Sequence, residues 1–396
     1  MASHEHIGSA LIHEKPRASD LQSSGNILLV GNWRSDAGYS WKMIERFWIA
    51  IARAFPSRRT ILCFPQVTTV NPDILSAGIE VKQFDFDLRR PAALARFCRH
   101  HDIGLAYLTD RPYSSSTYPV LRSVGVRKIL VHDHSPGQRT EPSPLKRVAK
   151  TAKVRMFGAD AYIACSEQVL ERFTKVGCIH PGRCHLALNG IELSRFPHPR
   201  PTIRKELLLS PDTLLAVSCS RVHTYKRVSD IVDAAALLTD LDVRFIHIGD
   251  GPGFEALQMK IEELGLQSRF TLLGQRDDVA EILSGCDIAI HASSGEVGLS
   301  LSILEFMASQ LALVVTDEPT VSRIIDSGRT GLTFPHGDAQ ALAARLRELS
   351  SDSHMRLRLG KAAREYVENG YRVENTVASV LGVVEKVYAE SNGPHR

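Results

Sequence analysis

Apolar positions along the chain fall into short continuous runs that alternate with segments of helical period. Strand-like runs lie at 26–30, 60–64, 79–84, 103–108, 128–131 and 161–164, and a second series follows at 214–219, 243–248, 269–273, 288–291 and 313–316. Alternation of such runs with helical segments predicts parallel sheets wrapped by helices. Between the series, the stretch from Arg195 to about Ser210 has three prolines and no apolar periodicity, the composition of a linker. The pattern therefore predicts an α/β chain of two doubly wound, Rossmann-like domains facing a central cleft, each offering the carboxyl ends of its strands. The expected boundaries are a flexible tail at 1–25, a first domain at 26–196, a linker at 197–212, a second domain at 213–370 and a terminal helical segment at 371–396.

The stretch SSGEVGLSLSILEFMASQ, 293–310, departs most from a plain core pattern. At helical spacing Leu299, Ile303, Phe306 and Met307 form one apolar face and Leu301, Leu304 and Ala308 another, leaving Ser302, Glu305 and Ser309 as a narrow polar stripe. A carboxylate buried there is costly unless its oxygens are hydrogen-bonded, so Glu305 belongs either to a polar network or to a ligand contact. The Gly298-Leu299-Ser300 turn ahead of the helix offers backbone N–H groups to an anion. Anion and polyol together suggest a sugar nucleotide.

A second constellation, Ser220 to Arg227, follows a strand and precedes a helix. Cations in such a loop concentrate positive charge where a pyrophosphate can bind, Arg221 as a planar fork and Lys226 as a point charge. Taken alone, the loop is more ordinarily a solvated basic turn. Downstream, the turn beginning at Gly249 and the Gly274-Gln275-Arg276 loop each follow a strand, where glycine lets backbone approach closely. In the first half, the apolar run at 128–131 ends in His132-Asp133-His134. Adjacent strand residues point to opposite faces, so only the two histidines could share an ion, and no third ligand is signalled.

With these residues in place, the chain resembles the retaining GT-B glycosyltransferases of the family 4 (group 1) type. That family carries two Glu separated by seven residues; Glu305-Phe306-Met307-Ala308 fits the second, whereas Glu296 stands one residue ahead of the matching position, Val297. The resemblance implies that Glu296 touches the donor sugar and Glu305 the ribose, with Arg221 and Lys226 on the diphosphate. It places Gly249, Gln275, Arg276, Gly298, Leu299 and Ser300 along the donor, the base being read by backbone at 274–276. It gives His132, with His134 next, a contact to the donor sugar from the first domain. The family commonly has two consecutive glycines after the first strand; here Gly38 stands beside Ala37, with Trp33, Tyr39 and Trp41 on the acceptor side. The terminal helix would cross back to the first domain. The implied reaction moves a sugar from a nucleoside diphosphate sugar, as co-substrate, to a hydroxyl acceptor, with no cofactor and no metal. A nucleotide-sugar epimerase on the same fold, or a non-catalytic sugar-nucleotide sensor or partner subunit, are the alternatives.

Composition narrows the remaining classes. A length of 396 residues suits two domains of about 150 to 200 each, and 43% hydrophobic residues suffice for two cores. No run reaches the about 18 apolar residues of a membrane span, and the start lacks a basic-then-apolar signal pattern. Seven cysteines without a Cys-x-x-Cys pair suggest buried thiols and a cytoplasmic setting. The net charge of +4 gives no case for a nucleic-acid partner. Asp85-Phe86-Asp87, an Asp-x-Asp motif, reads as a loop ahead of a helix. Residues 145–157, LKRVAKTAKVRMF, form a basic amphipathic helix, with Leu145, Val148, Ala149, Ala152 and Met156 on one face. Its ordinary reading is a surface helix packed on the sheet, its sharper one peripheral docking on an anionic membrane.

Overall fold

The structure is a computed structural model that describes residues 25–36, 42–135, 139–196, 202–296 and 299–390. The first sheet holds seven parallel strands in the order β3-β2-β1-β4-β5-β6-β7: β1 (Asn26–Val30), β2 (Thr60–Phe64), β3 (Ile79–Gln83), β4 (Ile103–Thr109), β5 (Lys128–Asp133), β6 (Ala161–Ala164) and β7 (Cys184–Leu186). The second holds six in the order β10-β9-β8-β11-β12-β13: β8 (Leu214–Cys219), β9 (Val243–Ile248), β10 (Phe270–Leu272), β11 (Ile288–His291), β12 (Ala312–Thr316) and β13 (Leu332–Phe334). This is the GT-B architecture. Strands β2, β4, β6, β11 and β12 are buried at every position, because helices cover both faces of each sheet. The order reverses between β1 and β4 in one sheet and between β8 and β11 in the other, and ligands of open parallel sheets bind outside such switch points.

The Ser353–Gly370 helix packs on the second domain through Leu359, Ala363 and Val367, whereas the Val373–Ala389 helix buries Val380, Val383, Val384, Val387 and Tyr388 against the first. The crossing is pinned by Ile191 N–H donating to the Tyr371 carbonyl at 2.8 Å and Val373 N–H to that of Ile191 at 3.0 Å. Thr202–Glu206 is a helix rather than linker: Ile203 is buried in the second domain's core, and the Arg204 guanidinium donates to the carbonyls of Gly285 at 2.8 Å and Thr213 at 2.8 Å. The 144–157 helix also departs from expectation. Its apolar face does not pack on the sheet; Leu145, Val148 and Met156 are 83%, 69% and 65% exposed, and Val154 is its buried residue.

Candidate functional site at the second switch point

The loop after β8 is held by close backbone contacts. His247, fully buried near the end of β9, bonds Ser218 Oγ through Nδ1 at 2.8 Å and the Ser220 carbonyl through Nε2 at 3.0 Å. Burial pushes this imidazole down to about 4, so at neutral pH it is uncharged and can donate to one partner while accepting from the other. Gly249 has φ 134°, and a Cβ there would lie 1.9 Å from the Ser220 carbonyl oxygen. Val222 N–H donates to the Asp250 carbonyl at 2.9 Å and Gly253 N–H to that of Val222 at 3.0 Å. The glycine turn thus serves as a backbone buttress for the cationic loop.

That loop brings Lys226 against the loop after β11. Lys226 Nζ donates to Glu296 Oε1, the same oxygen that His291 Nε2 approaches at 2.9 Å. Ser294 N–H donates to the Tyr225 carbonyl at 2.7 Å, and Glu296 N–H donates to Thr320 Oγ1 at 2.8 Å, which fixes the second loop from both sides. Burial raises the Glu296 carboxyl, but the His291 hydrogen bond and charge together with Lys226 outweigh it and hold the group at about 2. Glu296 therefore reaches Lys226 despite standing one residue early. Arg221, five residues before Lys226 on the loop after β8, is exposed, with no ion pair to another described residue. Ser300 stands at the N-terminal boundary of the Leu301–Ala308 helix, without a capping side-chain hydrogen bond among the described residues, with Leu299 ahead of it, and Glu305 within that helix is 6% exposed. Glu305 and Leu301 form part of the wall of an interdomain cavity of ≈ 1190 Å³, closed opposite by the Lys42–Ala54 helix. Arg221, Lys226 and Glu296 do not line that cavity; they lie apart from it on the switch-point loops.

Other expected contacts fall differently. Arg276 is committed to Glu206 at 2.9 Å and Asp278 at 2.7 Å, tying the Thr202–Glu206 helix to the loop after β10, while Gln275 is exposed. His132 is fully buried under Phe47, with ring centroids 5.4 Å apart, and Nδ1 bonds the Tyr107 hydroxyl, so it offers no surface to a sugar in this structure. His134, 4.1 Å away between ring centroids, is half-buried, and the Nε2 atoms of both rings are enclosed without a hydrogen-bond partner. Trp33 stacks on Trp48 at 6.0 Å. Phe86 is buried and Asp87 binds Arg89 at 3.0 Å, so the Asp-x-Asp motif is a loop anchor. Gly38, Tyr39, Trp41 and Gly298 lie outside the described residues.

Sequence reasoning missed His247, His291 and Asp110. The first two carry the signal used for His132, a polar residue at the carboxyl end of an apolar strand. Asp110 follows β4 with φ 51° and accepts His134 N–H at 2.5 Å; burial first, then the charge of Asp133, raises it to about 7.

Residues 199–366 match the family model described as "Glycosyl transferases group 1". That segment, less than half of the chain, is similar to the group 1 glycosyltransferases. It is 29% identical over 184 residues to the N-acetyl-alpha-D-glucosaminyl L-malate synthase of Bacillus anthracis, an alignment covering 46% of this chain and 48% of that protein. The chain spans about half the length of the curated relatives it matches first. Among solved structures, a glycosyltransferase from Rickettsia africae superposes with a TM-score of 0.76 at 15% identity, covering 92% of this chain and 99% of that one. Anabaena HepE, in complex with UDP and glucose, does so with a TM-score of 0.72 at 18% identity, covering 91% and 100%. At such identities these two speak for the GT-B fold.

Proposed function

We propose that this protein is a group 1 glycosyltransferase, a retaining, metal-independent enzyme that moves a sugar from a nucleoside diphosphate sugar to a hydroxyl on a glycan, a lipid-linked glycan or a small molecule. The observation that carries the reading is the meeting of Lys226, Glu296 and His291 across the β8/β11 switch point, with the exposed Arg221 on the same loop as Lys226. The Bacillus anthracis relative is by name an N-acetyl-alpha-D-glucosaminyl L-malate synthase, and HepE holds UDP and glucose on the same fold. Arg221 and Lys226 would stabilise the charge that grows on the departing diphosphate, Glu305 would hold the ribose, and Glu296 would face the transferred sugar while setting the position of the Lys226 ammonium. Cations in place of a divalent ion make the reaction independent of metal, and no cofactor has a part in it. The cysteines, free throughout the described residues, suit a reducing compartment such as the cytoplasm. Incubation with UDP, GDP, ADP and dTDP sugars, followed by proton NMR of the products, tests the reading. A transferase releases nucleoside diphosphate and passes the sugar on with its anomeric configuration kept. An epimerase returns an isomeric donor, and a sensor changes nothing.

A further inference from the structure

The helix Pro144–Phe157 is built inside out for a helix on a folded domain. At about 100° per residue, Leu145, Val148, Ala149, Ala152 and Met156 share an arc of about 100°, and Val154 stands on the opposite side. Val154 is the one that joins the first domain's core. Leu145, Val148 and Met156 are 83%, 69% and 65% exposed, and Ala149 and Ala152 are exposed too. Attachment is seen at the last turns, where the Phe157 carbonyl accepts Ser115 N–H at 2.9 Å and Val154 enters the core. The apolar stripe thus faces outward. Lys146 and Lys153 border it on one side and Arg155 on the other, all exposed, while Arg147 and Lys150 lie nearer the domain. No acidic residue occurs from 142 to 159.

We infer that this helix lies flat on an anionic lipid bilayer, its stripe set into the headgroup boundary and its cations among the lipid phosphates. Leaving a stripe of this width in water serves no purpose in the fold, since Val154 alone seats the helix. A second copy of the chain is a poor occupant, because three cations bordering the stripe would face the same three. A nucleic acid would match the charge but leave the apolar centre without a partner. A bilayer with acidic headgroups matches both, in the manner of interfacial amphipathic helices. No helix of the described residues is long and apolar enough to cross a membrane, so the contact is peripheral.

Sedimentation of the full chain with phosphatidylcholine vesicles, with and without phosphatidylglycerol at about a third of the lipid, tests this. Wild type binds the anionic vesicles, not the neutral ones, and is released by high salt. Each basic residue near such a surface contributes roughly a fivefold factor, so Lys146→Gln/Lys153→Gln/Arg155→Gln weakens binding about 100-fold. Leu145→Ser/Met156→Ser also weakens it while keeping the salt dependence. The altered positions are exposed, and an unchanged melting temperature shows that both variants fold. No binding by wild type, or either variant binding as wild type does, overturns the inference. So does retention by an acidic protein without retention by vesicles. Sugar transfer has no part in this readout, so its outcome is independent of the proposed reaction.

Discussion

Lys226 and Glu296 neutralise each other before any ligand arrives, so donor binding exchanges one counter-ion for another. Lys226→Ala should lower kcat by about 10² to 10³, the scale of one lost transition-state donor, with a smaller change in the donor KM, and Arg221→Ala should behave alike. Glu296→Gln removes the competing charge: steady-state kinetics should show slower sugar turnover, while calorimetry shows nucleoside diphosphate affinity holding or rising. Glu305→Gln should weaken free nucleoside diphosphate and sugar donor equally, about tenfold or more, because the proposed contact is with the ribose common to both. The Glu296 carboxyl sits at about 2 in the fold, below its ordinary value near 4.5. A depressed carboxyl stabilises the folded state above its unfolded pKa, so this contribution, of order 3 kcal/mol, is lost as pH falls from about 4.5 towards 2. Melting curves of wild type and Glu296→Gln should converge across that window, and a constant gap between them would refute the pairing.

At the scale of elements, strands buried on both faces were legible as continuous apolar runs, because helices cover each sheet twice. The strands β7 and β13 were not. Each has three residues at a sheet edge, β7 with every position half-buried, too short and too polar to stand out. The site was legible in part. Glu305 showed itself as a lone carboxylate in an apolar helix, and Lys226 as a cation after a strand. The arrival of Glu296 at Lys226 depends on Ser294 bonding the Tyr225 carbonyl and Thr320 bonding Glu296 N–H, contacts from distant segments that local spacing does not encode. His132 misled for a related reason: a polar residue at a strand end is visible in sequence, but the Phe47 that covers it comes from another helix. The glycine buttress gives a prediction of its own. Gly249→Ala combines an unfavourable φ with a Cβ 1.9 Å from a carbonyl oxygen, so it should cost at least about 3 kcal/mol by denaturant unfolding and displace the Arg221 loop with it.

Across the whole molecule, the two sheets repeat one strand order, and the chain returns through Val373–Ala389 to pack on the domain where it began. The cavity between the domains reaches Glu305 on one wall and the Lys42–Ala54 helix on the other, so relative motion of the domains changes the volume open to a ligand. In the proposed reaction, cationic side chains at the β8/β11 switch point hold a nucleoside diphosphate without a metal. Calorimetric titration of UDP, GDP, ADP and dTDP in EDTA, into wild type and Lys226→Ala, tests it most directly. At least one of the four should bind wild type at one site per chain and bind Lys226→Ala at least tenfold more weakly. Binding that appears only when manganese is restored, or that is equal in both proteins, would contradict it.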